Sequence, residues 1–201
     1  MDSEKITLLA GHYKDTFDFQ KENLKKRDRL FLLSLISTCL MLFIIYTPSE
    51  AFSLMSDFLK SKFSLQSNIN LLFMQSIIWF SMLAVVIKYF QAVIFIDRQY
   101  SYLHKIEAII SPAFESQSFN REGKSYLNDY PKFLNWAGFL YTLIFPIILL
   151  VVSSIKIITE FISFGSKEPL IYFDLCAFVF MLISIVLYQY EMHVKNNKKN
   201  T

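Results

Sequence analysis

The sequence predicts an all-α membrane protein with four transmembrane helices per chain, an N-terminal cytosolic amphipathic helix and a helical cytosolic insert between spans two and three. Of its 201 residues, 54% are apolar, 17% are aromatic and only 4 are glycine, which is unusual for a soluble domain. Long apolar runs lie at residues 30–47, 69–96, 136–158 and 170–190. Each is close to the roughly 20 residues that a helix needs to cross about 30 Å of hydrocarbon. Because lipid offers backbone amides no water, runs without alternating polarity are expected to span as helices.

The basic residues predict which side of the membrane each segment faces. Segments 1–29, 98–134 and 191–201 together hold fifteen Lys and Arg residues, whereas the two other loops, counted with Lys156, hold four. Positive charge accumulates on the cytosolic side of membrane proteins. We therefore expect both termini and the insert to face the cytosol.

Segment 1–29 is predicted to form the amphipathic helix, because its apolar residues recur mostly at steps of three or four. They are Ile6, Leu9, Tyr13, Phe17 and Leu24. The basic stretch KKRDRLF, residues 25–31, continues into the first span without Pro or Gly. Two interpretations are open: the helix lies on the membrane surface, anchored to anionic headgroups, or it packs on other cytosolic parts or on a neighbouring subunit.

Residues 30–97 are predicted to contain spans one and two and an outer interfacial helix at 49–63. The charged segment before the first span argues against a cleaved signal peptide. Thr47-Pro48-Ser49 indicates a turn, with Ser49 as the expected N-cap of the interfacial helix. The apolar face of that helix is predicted to be Phe52, Met55, Phe58, Leu59 and Phe63.

Residues 98–134 are predicted to form a cytosolic insert of helix, turn and helix. The second span is expected to continue to Ile110, where Ser111-Pro112 ends it, because Pro disfavours helix at the residue before it and donates no amide. The NREG sequence at 120–123 indicates a turn, and Asp129 is expected to cap a third helix. A unit of about 35 residues needs packing on other segments to be stable.

Basic and aromatic side chains are interleaved in the cytosolic segments. Arg and Lys neutralise phosphate and Tyr rings stack on bases, so the pattern suits an oligonucleotide or nucleotide ligand. The candidate ligand-binding residues are Lys25, Arg27, Arg98, Tyr102, Lys105, Arg121, Lys124, Tyr126 and Lys132. The same residue types form the interfacial belt of ordinary membrane proteins, so anchoring or subunit packing is the alternative.

Residues 135–190 are predicted to hold spans three and four, followed by a basic tail at 191–201. Ionisable groups in hydrocarbon are functional candidates. Lys156, Glu160 and Asp174 are expected at similar depth, either as a packed ionic network or with Asp174 in a ring around a cation path of an oligomer. The candidate pore or intramembrane polar residues are Ser37, Gln75, Lys88 and Asp174.

Enzyme signatures are missing from the sequence, so we expect neither catalysis nor a cofactor. The three His residues lie in separate segments without HxxH or HExxH spacing, which gives no metal-site pattern. There is no P-loop, GxSxG or GxGxxG, and 4 glycines far apart exclude a glycine-rich phosphate loop.

The basic KKRDRLF helix, the four spans and the insert containing FNREGKSYLNDYP resemble small four-span membrane effectors of bacterial anti-phage defence islands, in particular the channel effectors of Hailong-like systems. The resemblance implies a homo-oligomeric, cytosolically gated ion channel or permeabilising effector of the bacterial inner membrane. Its implied partners are the lipid bilayer, other copies of itself, and an oligonucleotide, a nucleotide or a soluble defence protein. The alternative function is a non-conducting membrane anchor or subunit that recruits a soluble partner.

Overall fold

A computed structural model of the chain describes residues 3–63, 70–113 and 132–195, and within these ranges the regular elements are all helical. The helices are α1 (Ser3–Tyr46), α2 (Pro48–Phe63), α3 (Leu71–Ile110), α4 (Lys132–Phe139), α5 (Phe145–Phe164) and α6 (Pro169–Gln189). The four segments long and apolar enough to cross a membrane are Glu4–Tyr46, Leu71–Ile110, Asn135–Phe164 and Pro169–Val194. The predicted fold class is confirmed: the chain is an all-α, multi-pass integral membrane protein.

Two of the helices are much longer than a bilayer is thick. α1 has 44 residues and α3 has 40, which at 1.5 Å per residue gives about 66 Å and about 60 Å. The hydrocarbon layer is about 30 Å thick, so each helix extends well beyond it. α3 continues to Ile110 as predicted and gives way to a short 3₁₀ turn at Ser111–Ala113, where Pro112 removes an amide donor.

The start of α2 differs from the prediction. α2 begins at Pro48, because Pro at the first helical position loses no hydrogen bond and has its φ already set for a helix. Ser49 is therefore inside the helix, and its hydroxyl donates to Glu50 Oε2 at 2.9 Å instead of capping the helix. Hydrogen bonds from the Glu50 backbone and from Ser49 lower the pKa of the Glu50 carboxyl. On the predicted apolar face, Phe58 is exposed, whereas Ala51 is the buried residue of α2.

A π-helical segment, Leu140–Ile144, joins α4 to α5 just before Pro146. Pro146 has no N–H to donate to the Thr142 carbonyl four residues earlier. The side-chain amide of Gln189, at the end of α6, donates to that carbonyl oxygen at 3.0 Å. The backbone hydrogen bond that Pro146 removes from the third span is thus replaced by one from a side chain of the fourth span. π-Helical turns are common where the regular hydrogen bonds of a helix are interrupted in this way.

The chain divides into two compact units. Unit one comprises Met1–Arg29 and Phe90–Tyr141, and unit two comprises Leu30–Tyr89 and Thr142–Thr201. These bounds cut through α1 and α3, because each long helix contributes one part to each unit. The segments predicted from the sequence, 30–97, 98–134 and 135–190, are each continuous in the chain. Their limits therefore differ from those of the two units, each of which combines two separate stretches.

In unit one the first part of α1 lies against the last part of α3. The Phe19 and Phe95 rings meet edge to face with centroids 6.0 Å apart, and Tyr13 Oη donates to Glu107 Oε1 at 2.7 Å. Since residue numbers rise in α1 as they fall in α3, the two segments run antiparallel. The buried apolar residues of this part of α3 include Leu103, Ile106 and Ile110.

Unit two has a packed interior and an apolar exterior. Its largest fully buried side chains include Met41, Leu72, Trp79, Met82, Leu149, Ile171 and Met181. Exposed aliphatic and aromatic residues cover the outside of its helices, among them Leu32, Ile36, Ile148, Val151, Ile158, Phe180 and Leu187. An apolar surface of this extent is suited to contact with lipid.

Candidate functional site

Three charged side chains are buried within unit two, on two of its membrane-spanning helices. Lys156 and Glu160 of α5 are 3% and 1% exposed, and Asp174 of α6 is fully buried. Lys156 Nζ lies 2.7 Å from Glu160 Oε1, because residues four apart share one face of a helix. The sequence interpretation of Lys156 and Glu160 as a packed pair agrees with this geometry. We call these three residues, with Gln75, Ser76 and Trp79 of α3, the ionic cluster.

Side chains of α3 complete the bonding of the ion pair. Gln75 Oε1 accepts from Lys156 Nζ at 2.9 Å, and Trp79 Nε1 donates to both carboxylate oxygens of Glu160 at 3.1 Å. Gln75 and Trp79 are also four residues apart, so one face of α3 meets one face of α5. A buried ion pair is tolerated only when further hydrogen bonds offset the loss of water. The pair therefore fixes the register of α3 against α5.

Asp174 has no comparable bonding. Neither of its carboxylate oxygens accepts a hydrogen bond of normal geometry from the described part of the chain. The Ser76 hydroxyl is within hydrogen-bonding reach of Asp174, and Glu160 and Lys156 are near enough to interact with it electrostatically. The Ser76 hydroxyl, however, donates its hydrogen to the Leu72 carbonyl at 3.1 Å. With both acids ionised, the ionic cluster holds one ammonium and two carboxylates, an excess of one negative charge.

The ionic cluster lies near one end of its helices. Asp174 is the sixth residue of α6 and Gln75 the fifth of α3, about 7.5 Å and about 6 Å along the axis from the start of each helix. Lys156 is eight residues before the end of α5, about 12 Å along the helix. The short turn from Gly165 to Glu168 joins α5 to α6 at this end. In the predicted topology this is the outer side of the membrane.

The four predicted pore residues fall into two groups. Gln75 and Asp174 both belong to the ionic cluster. Ser37 is half-buried on α1, where its hydroxyl donates to the Leu33 carbonyl at 2.9 Å, the usual local bond of Ser in a spanning helix. Lys88 is exposed on α3. Trp79 was not predicted from the sequence, because a Trp that donates a hydrogen bond to a carboxylate has the same spacing as an ordinary core aromatic residue.

The predicted ligand-binding residues are only partly described by the structure. Arg121, Lys124 and Tyr126 lie outside the described residues, as do the turn at 120–123 and Asp129. The exposed basic residues of unit one include Lys25, Arg98, Lys105 and Lys132. Arg27 pairs with Asp28 at 2.6 Å.

Polar contacts in unit one hold α1 on α3. His12 Nε2 and Tyr102 Oη are 2.9 Å apart, so Tyr102 is engaged inside the unit. Tyr13 donates to Glu107, which is buried, so this contact lies in the interior of the helix pair. Of the two interpretations of segment 1–29, packing on another part of the chain is the one seen. Neither contact was predicted from the sequence, because nothing in the residues around His12 or Tyr13 indicates a partner on α3.

No family model, curated protein or solved structure matches this chain. Within residues 3–63, 70–113 and 132–195, no group of three His, Cys, Asp or Glu side chains is placed to hold a metal ion. The candidate site of this protein is therefore the ionic cluster, identified from its burial, its charge and its hydrogen bonds.

Proposed function

We propose that the protein is a homo-oligomeric, cytosolically gated ion channel or membrane-permeabilising effector, acting in anti-phage defence at the bacterial inner membrane. The observation that carries the proposal is that α1 and α3 each run as a single helix from unit one, where basic side chains are exposed, into the membrane-spanning unit two. The buried ionic cluster supports a function beyond anchoring, because ionisable side chains inside a membrane-spanning unit are costly and are functional candidates.

The conducting path is assigned to the space between subunits. The interior of unit two is filled by side chains such as Trp79, Met82 and Met181, none of which is exposed, and packed bundle cores have no water-filled axis. Lys88 is exposed on α3 and Ser37 is half-buried on α1, so both are available to a path lined by several copies. Asp174 points into its own subunit, where it influences helix packing.

Control of the path is assigned to unit one. Lys25, Arg98, Lys105 and Lys132 are exposed there, and exposed Lys and Arg bind phosphate groups of a nucleotide or oligonucleotide. α1 and α3 each run from unit one into unit two as a single helix. A ligand that displaces one helix end therefore acts on the membrane-spanning part of the same helix.

The test is ion flux from liposomes that contain the purified, full-length protein, with and without added nucleotides and short oligonucleotides. We expect flux that one of these ligands switches on or off. The double reversal Arg98→Glu/Lys105→Glu should abolish the switching. The matched control, Lys60→Glu/Lys62→Glu, reverses two exposed lysines of α2 and should keep it. Absence of flux from folded, oligomeric protein under every condition would refute the channel.

A second candidate function, a non-conducting anchor for a soluble partner, is favoured by exposed aromatic and aliphatic residues of unit one. Phe95, Tyr100 and Ile109 are exposed along α3, and Phe133 and Trp136 along α4. Exposed apolar patches of this kind serve as protein-binding surfaces. Under this function the Arg98→Glu/Lys105→Glu variant lowers recovery of a complex from cell extract and changes no flux.

A further inference from the structure

We propose that Asp174 and Ser76, flanked by Glu160, bind one monovalent cation that is taken up reversibly from solution, either an alkali ion or a proton. The site lies wholly within unit two. It concerns a single subunit and holds whether or not the oligomer conducts ions.

The first support is the charge of the ionic cluster. Lys156 is already bonded to the Glu160 carboxylate at 2.7 Å and to the Gln75 amide oxygen at 2.9 Å, so its ammonium is paired with Glu160 and not with Asp174. The part of α1 in unit two, residues 30–46, contains no charged residue, and Lys88 of α3 is exposed. Burying an uncompensated charge is expensive. A further positive charge at Asp174 makes the cluster neutral.

The second support is the arrangement of acceptors around Asp174. Both of its carboxylate oxygens are buried and accept no hydrogen bond from the described residues. The Ser76 hydroxyl lies 3.1 Å from the Leu72 carbonyl oxygen and within hydrogen-bonding reach of Asp174, and its oxygen keeps lone pairs whichever of the two accepts its hydrogen. The Glu160 oxygens also retain acceptor capacity beyond the bonds from Trp79 and Lys156. Oxygen atoms with spare acceptor capacity are the ligands that a hard cation requires.

The third support is access. Asp174 lies about 7.5 Å along α6 from the first residue of that helix, next to the turn that links α5 to α6. A cation entering at this end of the helices therefore travels much less than the full hydrocarbon thickness, and it enters through a local opening of the packed helices because Asp174 is fully buried. Exchange of the cation changes the charge at the contact between α3, α5 and α6.

The experiment is thermal unfolding of the full-length protein in nanodiscs, followed by tryptophan fluorescence. In one arm NaCl replaces choline chloride at constant ionic strength and fixed pH. In the other arm the pH is varied in choline chloride alone. A ligand that binds only the folded state raises the unfolding midpoint, on the order of 3 °C for each tenfold rise in concentration above half-saturation.

The variants assign the effect to the site. Asp174→Asn keeps the size of the side chain and removes its charge, so its midpoint should not respond to the cation that acts on the wild type. Asp57→Asn, an exposed acid of α2, should respond like the wild type. A response to Na⁺ that Asp174→Asn lacks identifies an alkali ion. A response to pH alone that Asp174→Asn lacks identifies a proton.

Ser76→Ala keeps the proposal testable if Asp174→Asn does not fold. Removal of the hydroxyl oxygen should raise the concentration needed for half-saturation several-fold. Wild-type protein that responds to neither Na⁺ nor pH overturns the site. An equal response in Asp174→Asn, or an unchanged one in Ser76→Ala, overturns it as well. None of these readouts measures flux, so failure of the site and failure of the channel are separable.

Discussion

Replacing Lys156 with Met should destabilise the protein by about 3–5 kcal/mol, the usual cost of removing one partner from a buried ion pair. The change keeps an unbranched, flexible side chain but removes the ammonium. Glu160, which is 1% exposed, then loses its cation, while Trp79 still donates to it. Gln75 Oε1 also loses the donor that now lies at 2.9 Å.

A second substitution separates the charge from the packing. In Lys156→Met/Glu160→Gln the amide oxygen still accepts from Trp79, and no unpaired charge remains at this pair. The residual cost is the unsatisfied Gln75 carbonyl, about 1–3 kcal/mol. The double variant should therefore be about 2 kcal/mol more stable than Lys156→Met alone, and the single variant Glu160→Gln completes the cycle that gives the coupling energy between the two positions.

The assay is equilibrium unfolding in mixed micelles, with Lys60→Met on α2 as the control for loss of an exposed ammonium. That control should change stability by less than about 0.5 kcal/mol. If Lys156→Met were no more destabilising than the control, or if Lys156→Met and Glu160→Gln were simply additive, the pair would not be the buried, coupled interaction that its 2.7 Å separation indicates.

Two further predictions concern single hydrogen bonds. Gln189→Leu removes the donor to Thr142 and should cost about 1 kcal/mol in the same unfolding assay, and much less in a Pro146→Ala background, where a backbone amide is restored. Tyr13→Phe removes the hydrogen bond that Tyr13 donates to Glu107. The contact between the first part of α1 and α3 should then lose about 1–3 kcal/mol of stability, and hydrogen exchange in the first part of α1 should increase.

Each of these two predictions has a matched control. Ser184→Ala removes a half-buried hydroxyl that donates only within its own helix, to the Phe180 carbonyl at 2.7 Å, and should change stability little. A Gln189→Leu cost that persists in full with Pro146→Ala would contradict the compensation. Tyr46→Phe removes the hydroxyl of a Tyr that is mostly exposed. Equal exchange in Tyr13→Phe and wild type would show that the 2.7 Å bond to Glu107 does not hold α1.

The candidate site was partly predictable from the sequence. Lys156 and Glu160 stand four apart in an otherwise apolar run, so their pairing follows from helix geometry alone. Asp174 and Gln75 were candidates because polar groups in spans are rare. Trp79 could not be identified, because its role depends on which face of α3 turns toward α5. The contacts of His12 and Tyr13 were also hidden, because their partners lie about ninety residues away in sequence.

The sequence by itself determined the four spans and the end of α3 at Ile110, just before Ser111-Pro112. These features depend on local hydropathy, on proline chemistry and on the length of a helix, none of which requires knowledge of a neighbour. Only the tertiary structure decided that α1 and α3 each divide between two units, that Gln189 donates to Thr142 and that Asp174 is fully buried near Ser76, Glu160 and Lys156. Each of those results depends on the rotation of one helix against another, which is set by packing between residues far apart in the chain.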